Sequence, residues 1–165
     1  MCTALPNLTI LPTAALHDHS VIDQTWETRQ WLCSALIEQY YFCKYVPVDM
    51  RDRWIVPALC RYLSFHQLRV FHGNNEYRLQ LRADLESVLS LDRHLFHHRP
   101  LHHPHHHFEL DPHYSVDNQC YQWLSRKGRL VLVMLEQCIG KQNIQKILMQ
   151  MFIDANANEE RVEDL

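Results

Sequence analysis

The chain reads as a mostly α-helical domain with one short N-terminal edge strand. Three features predict this. Apolar residues recur at helical spacing through most of the 165 residues. Glycine is scarce, with only three (Gly73, Gly128 and Gly140), so the tight two-residue hairpins of an all-β sandwich have little to turn on. Hydrophobic residues make up 47% and charged ones 21%, an ordinary globular balance that argues against disorder.

Each element follows from local pattern. Leu8-Thr9-Ile10-Leu11, with Pro12 behind it, fits an edge strand, where proline is tolerated in a sheet. The spacing of Leu32, Leu36, Tyr40 and Cys43 predicts a helix over 23–43. A second helix, 53–71, carries Ile55, Leu59, Tyr62 and Leu63 on one face and ends before Gly73, the expected left-handed glycine. Asn74 or Asn75 then caps a third helix, 75–91, whose predicted inward face is Tyr77, Leu81, Leu85, Val88 and Leu89. A fourth, 117–138, aligns Leu124, Leu132, Leu135 and Ile139 and stops at Gly140. A fifth, 143–153, points Ile144, Ile147, Leu148, Met151 and Phe152 inward. The last twelve residues carry five acids, one arginine and no clear apolar face, so the chain reads as one domain, 1–165, belonging to something larger. Trp54, Tyr62 and Phe65 read as packing residues.

Between the third and fourth helices, Leu91 to His113 holds nine of the thirteen histidines. Interspersed prolines and the lack of a period make roughly 93–113 a low-complexity loop. Such tracts bind zinc or nickel adventitiously, but a folded metal site needs ligands fixed by further partners; deleting residues 97–107 would test a metal-buffering role.

Composition excludes several function classes. With no glycine cluster there is no phosphate loop or dinucleotide fingerprint. The net charge of −3 lacks a basic nucleic-acid footprint, and Arg126-Lys127-Gly128-Arg129 reads as a solvated helix face rather than a DNA clamp. Glu76 and Arg78 read as charges at a helix start. Six scattered cysteines with no CxxC pair fit a reducing nuclear or cytosolic compartment. No apolar run approaches a membrane span, and residues 1–7 lack a signal-peptide pattern. Ser125 has no glycine elbow or His/Asp partners in register, so it does not read as a nucleophile.

Gln39-Tyr40-Tyr41-Phe42 on the first helix, Trp54 opening the second, and Lys127-Gly128 followed by Leu130-Val131-Leu132-Val133-Met134-Leu135-Glu136 resemble the zinc-site frame of gluzincin aminopeptidases. That resemblance implies the helical part of a thermolysin-like domain. The chemistry of such an enzyme needs two histidines one turn apart, a glutamate base, a third ligand and an oxyanion tyrosine. At the matching positions stand Ser34 and Glu38 for the histidines, Ala35 for the base, Pro57 for the third ligand and Ser125 for the tyrosine. Only Glu38 remains as a metal ligand, and one carboxylate does not hold zinc. Ala4-Leu5-Pro6-Asn7 offers no acid to receive a substrate ammonium. The expectation is a degenerate site with no catalytic residues, no metal and no cofactor. A working zinc aminopeptidase is the alternative.

Further runs narrow the resemblance: Leu8-Thr9-Ile10-Leu11, Ala15-Leu16-His17, Val21-Ile22-Asp23-Gln24-Thr25, Glu27-Thr28-Arg29, Ala35-Leu36, Gln39, and Gly73-Asn74-Asn75-Glu76-Tyr77-Arg78. With Lys127, Leu130-Val131 and Leu135-Glu136, these resemble the family of second-largest subunits of the general transcription factor TFIID, TATA-binding-protein-associated factors with an inactive aminopeptidase-like part. The resemblance implies a nuclear, non-catalytic scaffold in RNA polymerase II promoter recognition and preinitiation complex assembly. It also implies contact with the largest subunit and a histone-fold subunit, indirect engagement of core promoter DNA, and no membrane.

Overall fold

A computed structural model describes residues 3–5, 8–18, 20–42, 49–52, 54–96, 100–101 and 118–163. The histidine-rich stretch lies mostly outside the described residues, as do the first and last residues of the chain.

The expected edge strand has a partner. β1 (Thr3–Leu5) and β2 (Leu8–Ile10) pair antiparallel, with Thr3 opposite Ile10 and Leu5 opposite Leu8. The remainder is helical. α1 (Ile22–Ile37) runs into a π-helical turn, Glu38–Phe42. α2 (Ile55–Leu91) ends in a second π-helical turn, Asp92–Phe96. α3 (Asn118–Ile139) and α4 (Lys141–Glu163) complete the order.

α2 is the pair of helices expected from sequence, laid end to end. Gly73, at φ 82° and ψ 178°, breaks the helical geometry at the predicted position, and the chain resumes its helix directly beyond it. Only glycine adopts that conformation without strain. Asn74 accepts a hydrogen bond from Arg69 Nε across the break. Gly140, at φ 87°, separates α3 from α4, again where a stop was expected. α4 continues ten residues past the predicted end at 153. Its acidic tail contains Ala155 and Ala157 and neither glycine nor proline, so nothing in it interrupts a helix.

The core lies where α2 and α3 meet, with α1 also packed on α2. Leu59 and Cys60 are buried with Ile55, Leu63, Leu132, Leu148 and Phe152 around them. A second cluster of Cys120, Trp123 and Leu124 packs against Trp54 and Leu91. The packing roles expected of Trp54, Tyr62 and Phe65 hold, since Tyr62 and Phe65 are buried and Trp54 is half-buried. Among the described residues, Cys33, Cys60, Cys120 and Cys138 are thiols outside any disulfide.

Two inward faces are rotated from expectation, and single residues depart on α3 and α4. On α1 the stripe Leu32, Leu36 and Tyr40 is exposed, and Ala35 is the buried residue. Trp26 of α1 meets Phe65 edge-on at 6.1 Å. On the second half of α2, Leu85 (47% exposed) and Leu89 stand outside while Asp84 and Val88 are buried. On α3 Leu135 is exposed while Glu136 is buried; on α4 Ile147 is exposed, but Ile144 is buried and Leu148, Met151 and Phe152 pack against the core as expected. Ala35, Asp84 and Glu136 share a cause. The buried stripe holds small or hydrogen-bonded polar residues, so the strongest aliphatic period marks a neighbouring stripe.

Gly128 fixes how closely the central helices approach. A Cβ built on it overlaps the Ala58 Cβ and lies 3.3 Å from Trp54 Cε3, so α3 lies directly on α2 at this point.

Candidate functional site: a polar cleft between α1, α2 and α3

A cleft of about 630 Å³ opens between the first three helices. α1 contributes Glu27, Trp31, Ser34, Ala35 and Glu38, one face of the helix at spacings of three and four. α2 contributes Arg61 and Gln80 with the buried Asp84, and α3 contributes Tyr121, Ser125 and Arg126.

Four of the five positions singled out as degenerate therefore line one cleft: Ser34, Ala35, Glu38 and Ser125. Pro57 does not join them. It is buried in the first turn of α2, where a missing backbone N–H leaves no helical bond unmade. Ser125 Oγ donates to its own helix at Gln122 O, 3.0 Å away, and is not poised as a nucleophile. Burial pushes the Glu38 carboxyl above its ordinary range. Burial, reinforced by Glu38, also raises the Tyr121 phenol and keeps it protonated. Among the described residues, no three His, Cys, Asp or Glu side chains are grouped so as to hold a metal ion. The cleft holds polar donors and acceptors but, among the described residues, neither a general-base pair nor a ligand set.

The deepest charges of this site were misread in the sequence. Arg126-Lys127-Gly128-Arg129 is not a solvated face. Consecutive helical residues point about 100° apart, so a four-residue run cannot share one side. Arg129 is fully buried and pairs with Asp84 at 2.5 Å. Its guanidinium lies over the Phe65 ring, 3.8 Å from the centroid. Arg61 reaches the same carboxylate through two bonds, 2.6 and 3.1 Å. Arg126 Nε lies 3.7 Å from it, and Arg126 Nη1 donates to Ser87 Oγ. Lys127 turns the other way and binds Asp92 at 3.0 Å, an acid that also accepts from Trp123 Nε1 at 2.6 Å. Asp84 carried no sequence signal beyond helical spacing from Tyr77 and Val88.

Residues of the resemblance runs also meet one another or the core around them. Thr9 Oγ1 donates to Gln39 Oε1 at 3.3 Å, tying β2 to the end of the first helix. His17 Nε2 and Thr28 Oγ1 are 2.9 Å apart. Tyr62 Oη donates to Glu136 Oε2 at 3.0 Å inside the core. Tyr77 lies against His66 and under Arg69 and Arg129.

Fold and cleft together define an α-helical domain with a polar, partly buried cleft. Its sequence is similar to that of transcription initiation factor TFIID subunit 2. Identity is 26% over 149 residues with the Danio rerio protein, covering 82% of this chain and 12% of the relative. It is 30% over 87 residues with the Drosophila melanogaster protein, covering 53% of this chain and 7% of the relative. With the Saccharomyces cerevisiae protein it is 32% over 85 residues, covering 52% of this chain and 6% of the relative. The resemblance drawn from the sequence is borne out, and the chain spans about an eighth or less of the length of these relatives. No family model matches the chain. No solved structure matches it, so the thermolysin-like assignment stays an expectation from sequence. Among the described residues no helix is long and apolar enough to cross a membrane.

Proposed function

We propose that this chain is a non-catalytic scaffold domain of TFIID, acting in the nucleus in RNA polymerase II promoter recognition and preinitiation complex assembly. The observation that carries the reading is the cleft. Similarity to TFIID subunit 2 supplies the setting. Within the cleft, Ser34, Ala35, Glu38 and Ser125 stand together where the aminopeptidase resemblance places zinc ligands, base and oxyanion donor. Those side chains hold neither a metal nor a transition state. The whole of 1–165 acts as one aminopeptidase-like unit, with its histidine-rich loop a low-complexity insertion. Its partners are the largest TFIID subunit and a histone-fold subunit, and promoter DNA is engaged through other regions.

Co-expression of the 165-residue chain with each of those two subunits tests the reading. Retention of at least one through affinity and size-exclusion steps is expected. Failure to retain either, with the chain itself folded by circular dichroism, would overturn it.

A further inference from the structure

We infer that the cleft between α1, α2 and α3 is a receptor for the carboxylate of an acidic side chain on a peptide segment, seated on Arg61 and Arg126. The charge balance around Asp84 carries the inference. Three guanidiniums, from Arg61, Arg126 and Arg129, converge on this one carboxylate at 2.6, 3.7 and 2.5 Å. Among the described residues, one negative charge against three positive leaves a local surplus of two.

The donors are not exhausted either. Arg126 Nε, and Nε and Nη2 of the fully buried Arg129, are shielded from solvent and have no hydrogen-bond partner among the described residues. A carboxylate binds guanidinium N–H groups in their own fork geometry, and the partly exposed Arg61 and Arg126 offer such a seat while Arg129 adds its charge from beneath. Arg61 and Arg126 both line the cleft and are partly exposed, so an incoming anion reaches these two guanidiniums, though not Arg129, from the open side. Burial and the neighbouring Arg61 both weaken the hold of Arg126 on its proton, a tension that a second carboxylate relieves.

The remaining wall selects a peptide over a free oxyanion. At about 630 Å³ the cleft is far larger than one carboxylate. Gln30 supplies an amide that matches a peptide backbone, beside the aromatic rings of Trp31 and Tyr121. Glu27 and Glu38 line the α1 side, so a dianionic phosphate or a nucleic-acid backbone meets like charge there. A single acidic side chain approaching from the α3 side does not. This carboxylate seat follows from the geometry alone and does not depend on assembly into TFIID.

The test is a titration of the full 165-residue chain followed through the side-chain Nε–H resonance of Arg126. The probes are the capped tripeptide Ala-Glu-Ala, its Ala-Gln-Ala counterpart, and inorganic phosphate. Expected is saturable binding of the glutamate peptide, about tenfold tighter than the glutamine peptide or phosphate. Arg126→Gln, read through backbone amides of α1, should remove that preference while thermal unfolding stays cooperative. Equal affinity for the two peptides, or binding by neither, would overturn the proposal, and both readouts use the unmodified chain. Phosphate binding as tightly as the glutamate peptide would overturn the peptide assignment in favour of a bare oxyanion site.

Discussion

Gly128 of α3 sits on Ala58 of α2 with no room for a methyl group between them. Its neighbour in sequence, Lys127, crosses to Asp92 at the far end of α2. The Lys-Gly pair that looks like a relic of an active-site helix thus has a structural role, closing the α2/α3 packing and tying it at one edge. Gly128→Ala should destabilise the domain by about 1–3 kcal/mol through overpacking. Ala58→Gly in the same chain should restore part of the loss, which urea melts of the two variants and the double variant would measure.

Among the described residues, Asp84 is the acid against which Arg129 is buried. Asp84→Asn keeps the shape but leaves that guanidinium without a counter-charge, a change expected to cost about 3–5 kcal/mol. Denaturation midpoints of wild type and variant at neutral pH check this. A shift smaller than about 1 kcal/mol would mean that Arg129 finds another partner.

Leu85 and Leu59 lie on the same long helix but differ in burial, at 47% and 2% exposure. Leu85→Ala should change stability by no more than about 0.5 kcal/mol. Leu59→Ala should cost about 2–5 kcal/mol. Equal losses would place both on buried faces and refute the register of α2.

That contrast also shows what the sequence could convey. Helix number, the breaks at Gly73 and Gly140, and the inward set Leu59 and Tyr62 were legible, because backbone punctuation and a purely apolar face leave a direct signature. The α1 face was not. Leu32, Leu36 and Tyr40 form its best aliphatic stripe and are exposed, while the side bearing Trp31, Ser34, Ala35 and Glu38 lines the cleft. Substitution had already drawn attention to Ser34, Ala35, Glu38 and Ser125, so part of the cleft could be named beforehand. The arginine cluster could not, since its acid comes from Asp84, 45 residues before Arg129, and ion pairing across helices has no local period.

His66 is a second internal charge site. Its Nδ1 is buried without a hydrogen-bond partner among the described residues, and its ring lies 5.5 Å from Tyr62 and 6.3 Å from Tyr77. Burial pushes its pKa down; Glu136 opposes this, while Lys141, Arg69 and Arg129 add to it. The unfolded chain, near 6.5, therefore takes up a proton before the folded one does. Stability should fall as pH drops through 6.5 and level off below the lowered folded value. His66→Gln should flatten that part of the profile. An identical pH dependence in the variant would assign the effect to other histidines.

A recognisable peptidase frame that has lost its chemistry is tested most directly by aminoacyl-naphthylamide hydrolysis in the presence of zinc. The wild-type chain is to be assayed beside a version lacking residues 97–107, so that adventitious metal on the histidines is accounted for. A fourfold variant carrying Ser34→His, Ala35→Glu, Glu38→His and Pro57→Glu completes the set. No zinc-dependent turnover is expected from any of the three. The fourfold variant still lacks the oxyanion tyrosine, one such donor being worth about 10²–10³ in rate, and still has no acid to anchor a substrate amine. Zinc-dependent turnover by the unmodified chain, abolished by a chelator and indifferent to deletion of 97–107, would contradict the loss of chemistry.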